Sequence, residues 1–379
     1  MPKHDDGRRR FVRDTGLLVG AAASGVLSRA KAQTRAGNRS LHDQPLTRIA
    51  FGSCASQDKE QPIWETVLDA RPELFIFLGD NIYGDTRDMS VLRGKYAQLA
   101  DKPGFQSLRA STQLIAVWDD HDYGEDDAGA DYPLKEESRR IFLEFWQEPR
   151  SSPRWSRDGI YTSYVFGPRG RRVQVVLPDL RYNRTPIVPL DLGAVSYEEW
   201  SRAKEAAGAS VPGPYARSPD TGATMLGEAQ WRWLEAQFDV PAELRIFASS
   251  LQVLADFPGW EAWINYARDH QRLIDLIRRK NAGGVVFISG DTHYAELTKL
   301  DVNVPYTFWD LTSSGLTEVW PVDVPNANRV GSQLREPNFG FIEIDWRPRE
   351  PIVRLEARDV SGTARVAHEV STAELRAPT

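Results

Sequence analysis

The chain has 379 residues, 26% charged and 41% apolar, with a formal net charge of −6. Those proportions argue against a disordered or a membrane-spanning protein, and the length buries a sizeable core in one large domain or two. The acidic balance argues against binding of polyanions, including nucleic acids, by general charge.

The N-terminus predicts a targeting segment. Arg8-Arg9-Arg10-Phe11-Val12 precedes a small-apolar run from Gly16 to Leu27, and Ala30-Lys31-Ala32 offers an A-x-A cleavage site. Residues 1–32 therefore read as a twin-arginine export signal, with the twin-arginine translocase as its partner and a periplasmic or secreted destination. The run is too short to span a bilayer, so no transmembrane segment is expected in the mature chain. The leader holds seven Lys/Arg against three Asp, and its removal takes the chain from −6 to −10. An anionic substrate would then need a local cationic site. Residues 33–46 predict a polar linker, and 47–379 a single large catalytic region.

Arg48-Ile49-Ala50-Phe51 is an apolar run that leads to Gly52-Ser53-Cys54. Cys54 is the only cysteine, so no intramolecular disulfide is possible. Its position after a strand suits a metal ligand; a small buried apolar side chain is the alternative. Pro62, Ile63, Trp64, Val67 and Leu68 mark a helix. The next run, Phe75-Ile76-Phe77-Leu78, ends in Gly79-Asp80 with Tyr83 three residues on. A short, wholly apolar run of this kind reads as a buried parallel strand, and ligand sites in open α/β sheets lie beyond the carboxyl ends of such strands.

Gln113 to Trp118 repeats the pattern and leads to Asp119-Asp120-His121-Asp122. The acids from Glu125 onward read as a solvated loop, while Asp120-His121 directly follows the strand. A helix carrying Ile141, Phe142, Phe145 and Trp146 comes next, then strands near Tyr161–Phe166 and Val173–Leu177. The second strand ends in Pro178-Asp179-Leu180-Arg181-Tyr182. Arg181 is either a phosphate clamp at the same rim or a salt-bridge residue. Asn183 to Met225 is a long Pro/Gly-rich segment with a short helix, which predicts a lid over the site.

A helix spaced by Trp231, Leu234 and Phe238, a strand over Arg245–Leu251 and a helix through His270 precede the last motif. There, Gly284 to Ser289 leads to Gly290-Asp291-Thr292-His293. Further strands at Tyr306–Thr312, Phe339–Asp345 and Ile352–Arg358 are expected to build mainly a second sheet from about residue 305. Four apolar runs thus end in metal-capable side chains. Their convergence on one rim would make a multi-metal centre.

Gly79-Asp80 with Tyr83, Asp120-His121 and Gly290-Asp291-Thr292-His293 resemble the motifs of calcineurin-like metallophosphatases. More narrowly, Gly52-Ser53-Cys54, Trp118 to Gly124 and Pro178 to Tyr182 resemble the PhoD-type alkaline phosphatase family. The resemblance runs from about Arg48 to Trp320. It implies a four-layer α/β/β/α sandwich with two central mixed sheets. It also implies a metal-dependent hydrolase of small phosphomonoesters or phosphodiesters. Cys54, Asp80, Tyr83 and His293 would surround a trivalent iron, and Asp80, Asp120 and Asp291 would hold a second metal, Ca2+. A metal-activated hydroxide would attack, with His121 and Arg181 as catalytic residues. Three features depart from the wider superfamily: Cys54 stands for the first D-x-H motif, Asp291 for the first His of the last motif, and the intervening histidine motif is missing. Two other readings remain: Cys54 as the nucleophile of a hydrolase with His121 or His293 as base, and a non-catalytic exported metal-binding protein.

Overall fold

The computed structural model describes Leu41 and residues 43–377; the leader and most of the expected linker lie outside them. Strands β1 (Arg48–Gly52), β2 (Leu74–Leu78) and β3 (Gln113–Val117) run parallel. Helix α1 (Ile63–Asp69) makes the first crossover, and α2 (Met89–Asp101) with α3 (Pro103–Ser111) makes the second. The short α4 (Asp120–Tyr123) and then α5 (Lys135–Phe145) follow β3.

The second sheet opens with the antiparallel pair β4 (Thr162–Phe166) and β5 (Val173–Leu177). Two-residue strands β6 (Val188–Pro189) and β7 (Tyr215–Ala216) pair across the expected lid, with α6 (Tyr197–Ala206) between them. Next come α7 (Gly227–Gln237), β8 (Leu244–Ala248), α8 (Ala267–Arg279) and β9 (Val285–Ser289). The remaining strands are β10 (Ala295–Leu300), β11 (Phe308–Ser313), β12 (Arg329–Leu334), β13 (Asn338–Asp345), β14 (Ile352–Asp359) and β15 (Ala364–Ser371).

These strands form two large mixed sheets, ordered β15-β14-β13-β1-β2-β3 and β12-β10-β11-β9-β8-β5-β4. The fold is the expected α/β class. One expectation is corrected: the C-terminal strands do not build mainly the second sheet. β13, β14 and β15 extend the first sheet, where β13 pairs antiparallel with β1 and sets Ile342 opposite Ile49. Only β11 and β12, with β10 before them, join the second.

β2 is buried along its whole length because both faces are covered. Phe75 and Phe77, two residues apart, share one face. Trp64 of α1 meets Phe75 edge-on at 5.6 Å, and Phe77 packs on Phe105 of α3 (5.9 Å) and on Trp146 after α5 (5.0 Å). Each such fully buried side chain contributes roughly 1.5–3 kcal/mol. On the second sheet, Phe247 of β8 packs on Trp263 (5.8 Å), which in turn meets Trp231 of α7. No helix among the described residues is long and apolar enough to cross a membrane.

This topology matters for the site. β1, β2 and β3 of one sheet, and β5, β8, β9 and β11 of the other, are parallel within their sheets, so each group presents its carboxyl ends along one edge. Bonds between the two edges bring them together. The Leu316 amide after β11 donates to the Ser53 carbonyl (3.2 Å), and the Asp291 amide after β9 donates to Ser53 Oγ (3.2 Å).

Candidate metal centre

The backbone turns sharply after β1, β2 and β9, and the residues at those turns are unusual. Cys54 (φ +62°), Asp80 (+47°), Asp291 (+73°) and His293 (+61°) all lie in the left-handed region. That conformation costs a non-glycine residue about 1–3 kcal/mol and persists only where the surroundings fix it. Glycines make the adjoining turns possible. Gly79 has φ +102°, and a Cβ there would lie 2.4 Å from the Asp119 Cβ. A Cβ on Gly290 would lie 2.6 Å from Ser53 Oγ.

The turned side chains converge. Donor atoms of Cys54, Asp80 and His293 lie within 4.8 Å of one another, and so do those of Asp80, Asp120 and His121, and those of Asp119, Asp120 and Asp291. Cys54 Sγ is 3.4 Å from Asp80 Oδ2, and Tyr83 Oη is 3.1 Å from His293 Nε2. The six residues expected as metal ligands, Cys54, Asp80, Tyr83, Asp120, Asp291 and His293, therefore form one continuous constellation. Asp80 belongs to two of its groups.

The donor set fits cations on two independent grounds. Asp80 Oδ1 and Asp119 Oδ2 are buried oxygens without a hydrogen-bond partner, a costly state for a carboxylate unless a cation faces it. The electrostatics agree. Burial pushes the Asp80, Asp119 and Asp291 carboxyls up; Asp291 is raised further by Asp119 and Asp120. Burial would also raise Asp120, but Arg181 and His121 outweigh it and hold that carboxyl well below the usual range. Burial pushes the Cys54 thiol and the Tyr83 phenol up, so each gives its proton up only to a strong positive charge. Burial pushes His293 down to about 4, which leaves a neutral ring with a free lone pair.

Cys54 is 0% exposed. A buried thiol held in its protonated form is poorly placed to attack a substrate, which counts against Cys54 as a nucleophile.

His121 is partly exposed, its ring 4.3 Å from that of Tyr83. Its Nδ1 lies 2.6 Å from Asp85 Oδ1. Burial would lower its pKa, but Asp120, Asp80 and the Asp85 hydrogen bond raise it to about 12. The imidazolium therefore donates from Nδ1 to Asp85, while Nε2–H faces Asp126 Oδ1 (3.8 Å) and Asp120 Oδ2 (4.0 Å) without a close hydrogen bond to either.

Arg181 does not stand free as a phosphate clamp. It is 0% exposed, and its Nη2 lies 3.1 Å from Asp120 Oδ1 and 2.6 Å from Glu261 Oε2, while Nε bonds Asp119. Of the two open readings of Arg181, the ion pair is the one seen, and it is buried. Asp122 is equally committed. Its Oδ1 accepts from the Asp119 amide (2.7 Å) and the Asp80 amide (3.2 Å), and its Oδ2 from Asn81 Nδ2 (2.5 Å). It clamps two strand-end turns together.

Sequence reasoning missed Asp85, Ser314 and Glu261. Ser314 Oγ accepts from the His293 amide (2.6 Å) and lies 3.6 Å from Cys54 Sγ. Asp85 had a signal: it closes the run Gly79-Asp80-Asn81-Ile82-Tyr83-Gly84-Asp85 and is as polar as its neighbours. Glu261 had none. His270, read as a helix histidine, lies in α8 and belongs to none of these groups.

The Asp85 contact carries a pH prediction. Asp85→Asn removes a carboxylate that favours the charged imidazolium, so the His121 pKa falls. The protonated form is then lost at lower pH, and the alkaline limb of kcat/KM moves to lower pH by about 1–2 units. pH–rate profiles of the two proteins check this; an unmoved alkaline limb removes His121 as the acid.

Comparisons with known proteins add the following. The family described as PhoD-like phosphatase matches residues 49–347. A curated relative, alkaline phosphatase D of Bacillus subtilis (strain 168), is 22% identical over 300 residues, which is 69% of this chain and 48% of that protein. The chain thus spans about half the length of that relative. Among solved structures, one of PhoD superposes with a TM-score of 0.64 at 16% identity, covering 89% of this chain and 72% of that one. A dimetal phosphatase from Danio rerio gives 0.51 at 15% identity, covering 88% and 100%. At these identities the structures speak for the fold, and the chemistry rests on the residues.

Proposed function

The chain belongs to the PhoD-like phosphatase family, and on that premise we propose that it hydrolyses small phosphomonoesters or phosphodiesters in a metal-dependent reaction. The observation that carries this reading is Asp80. It is shared by the Cys54–His293 group and the Asp120–His121 group, and it keeps one buried oxygen without a partner. Such a carboxylate suits a bridge between two cations.

Cys54, Asp80, Tyr83 and His293 would hold one cation. Thiolate and phenolate, both raised by burial, favour a strongly charged acceptor, and we assign trivalent iron there. Asp80, Asp120 and Asp291, with Asp119, would hold the second. An all-carboxylate set suits a hard cation, and we assign Ca2+. The chemistry such a pair supplies is neutralisation of the phosphoryl oxygens and a lowered pKa for an attacking water.

The chain's own residues supply the rest. The carboxylates and His293 are held in place by the strand-end turns, which preorganises them for a charged substrate. His121 gives its Nε2 proton to the departing alkoxide as the P–O bond breaks, and the Nδ1 bond to Asp85 keeps the ring oriented and charged. Arg181 pairs with Asp119 and Asp120 and so fixes their orientation. Turnover of a chromogenic phosphomonoester and a chromogenic phosphodiester by the purified chain tests the activity. A metal-loaded protein that turns over neither returns the non-catalytic binding reading.

We also propose export by the twin-arginine translocase, to the periplasm or the outside, supported by Arg8-Arg9-Arg10 and the A-x-A site. Cell fractionation of a variant with Lys at all three arginines tests it; unchanged export removes the reading.

A further inference from the structure

A buried ion network borders this centre without belonging to its donor set. Arg184 is 1% exposed and Glu261 3%, beside the fully buried Arg181. Glu261 comes from the loop after β8. There, Ala262 bridges to Gln252, and the Trp263 amide donates to the Gln252 carbonyl (2.9 Å), which pins the loop beside the strand end. The two Glu261 oxygens are divided between two arginines. Oε2 lies 2.6 Å from Arg181 Nη2, and Oε1 meets Arg184 Nη1. The same Nη2 of Arg181 reaches Asp120 Oδ1 at 3.1 Å. Arg184 reaches on to the acidic loop: it donates to the Asp127 carbonyl, and its own carbonyl accepts from the Ala130 amide (2.8 Å).

The charges in this network are finely divided. Arg181 serves three carboxylates, Asp119, Asp120 and Glu261, while the only carboxylate paired with Arg184 among the described residues is Glu261. Take Glu261 away, and Arg184 loses its paired carboxylate, so that both guanidinium charges in this low-dielectric interior bear more heavily on Asp119 and Asp120. A divalent cation would then enter beside carboxylates whose charge the two guanidiniums already offset.

We propose that Glu261 is a positioning residue for the metal centre. It shares Arg181 with Asp119 and Asp120, so that these two carboxylates keep both the orientation and the net negative charge that a second, divalent cation requires. This rests on the two-cation reading above. Glu261 touches neither substrate nor cation. It acts through Arg181, and the affinity of the site for metal is what it sets.

The test is calorimetric titration of Ca2+ into chelated full-length protein, with folding checked by circular dichroism. Glu261→Gln is expected to weaken Ca2+ binding by about 10–100-fold, the usual effect of losing a partner that orients metal ligands. Glu261→Gln combined with Arg184→Gln removes one charge of each sign and should regain most of that loss. Glu261→Asp keeps the charge but is one methylene too short to span both arginines; it should lose less than Glu261→Gln. Wild-type affinity in folded Glu261→Gln, or in Glu261→Asp should the first variant not fold, overturns the role of Glu261 while leaving the metal reading standing. A wild-type chain that takes up no Ca2+ is a different failure: it removes the divalent site itself, and this proposal with it.

Discussion

Asp80→Asn is expected to lower kcat/KM for phosphoester hydrolysis by at least ~10³-fold, the scale of several kcal/mol of lost charge stabilisation. The change keeps the shape of the side chain and removes the charge that both donor groups share. The effect on stability should run the other way. Burial holds the Asp80 carboxyl well above its ordinary range, so its ionisation works against folding in metal-free protein. Above the unfolded-state pKa the unfolded chain gives up this proton more readily than the folded one, and neutral Asn escapes that penalty. Metal-free Asp80→Asn should therefore be more stable than metal-free wild type at neutral pH, by roughly 0.5–2 kcal/mol. Thermal melts and steady-state kinetics of the same preparations measure both. Equal loss of activity and of metal-free stability would make Asp80 a structural residue only.

Tyr83→Phe carries the second large effect. The phenol lies 3.1 Å from His293 Nε2, beside the Cys54–Asp80–His293 group. A trivalent iron accepts charge from phenolate and thiolate in the visible range, whereas d¹⁰ zinc or Ca2+ does not. The purified protein should therefore be coloured. Tyr83→Phe keeps the ring that stacks on His121 and removes only the oxygen. It should bleach or shift the visible band and lower turnover by about 10–100-fold, with an unchanged circular dichroism spectrum. Cys54→Ser should also alter the band. A colourless, iron-free protein with full activity would overturn the assignment of this side of the site.

Much of this site was legible in the sequence because strand ends announce themselves. An apolar run of four or five residues that stops at Gly-Asp, as at Leu78-Gly79-Asp80 and Ser289-Gly290-Asp291, states both a buried strand and a side chain at its carboxyl end. What the sequence could not state was which neighbour each charge would find. Asp119, Asp120 and Asp122 are near neighbours of one type with three different tasks. Asp122 clamps two turns, Asp119 keeps a free oxygen, and Asp120 spans three donor groups. Arg181 read equally well as a phosphate clamp, since nothing in Asp179-Leu180-Arg181-Tyr182 reveals Glu261, which lies eighty residues away in sequence.

Non-local pairing also hid the sheet membership of the C-terminal strands. β13 reaches back across nearly the whole chain to pair with β1, and its mostly buried run suits either sheet. Helices α2 and α3 were not read from the sequence, where Gly94 interrupts the first and the apolar faces are narrow; Asp88 caps the first and Pro103 opens the second.

The central claim is that Asp80 and the strand-end residues around it hold metal ions on which hydrolysis depends. Elemental analysis of the purified native chain, with phosphoester turnover followed before and after chelation, tests it most directly. The expected result is about two metal ions per chain, iron among them, with hydrolysis lost on chelation and regained when Ca2+ and iron are returned. A metal-free chain that hydrolyses the same ester at the native rate would contradict it.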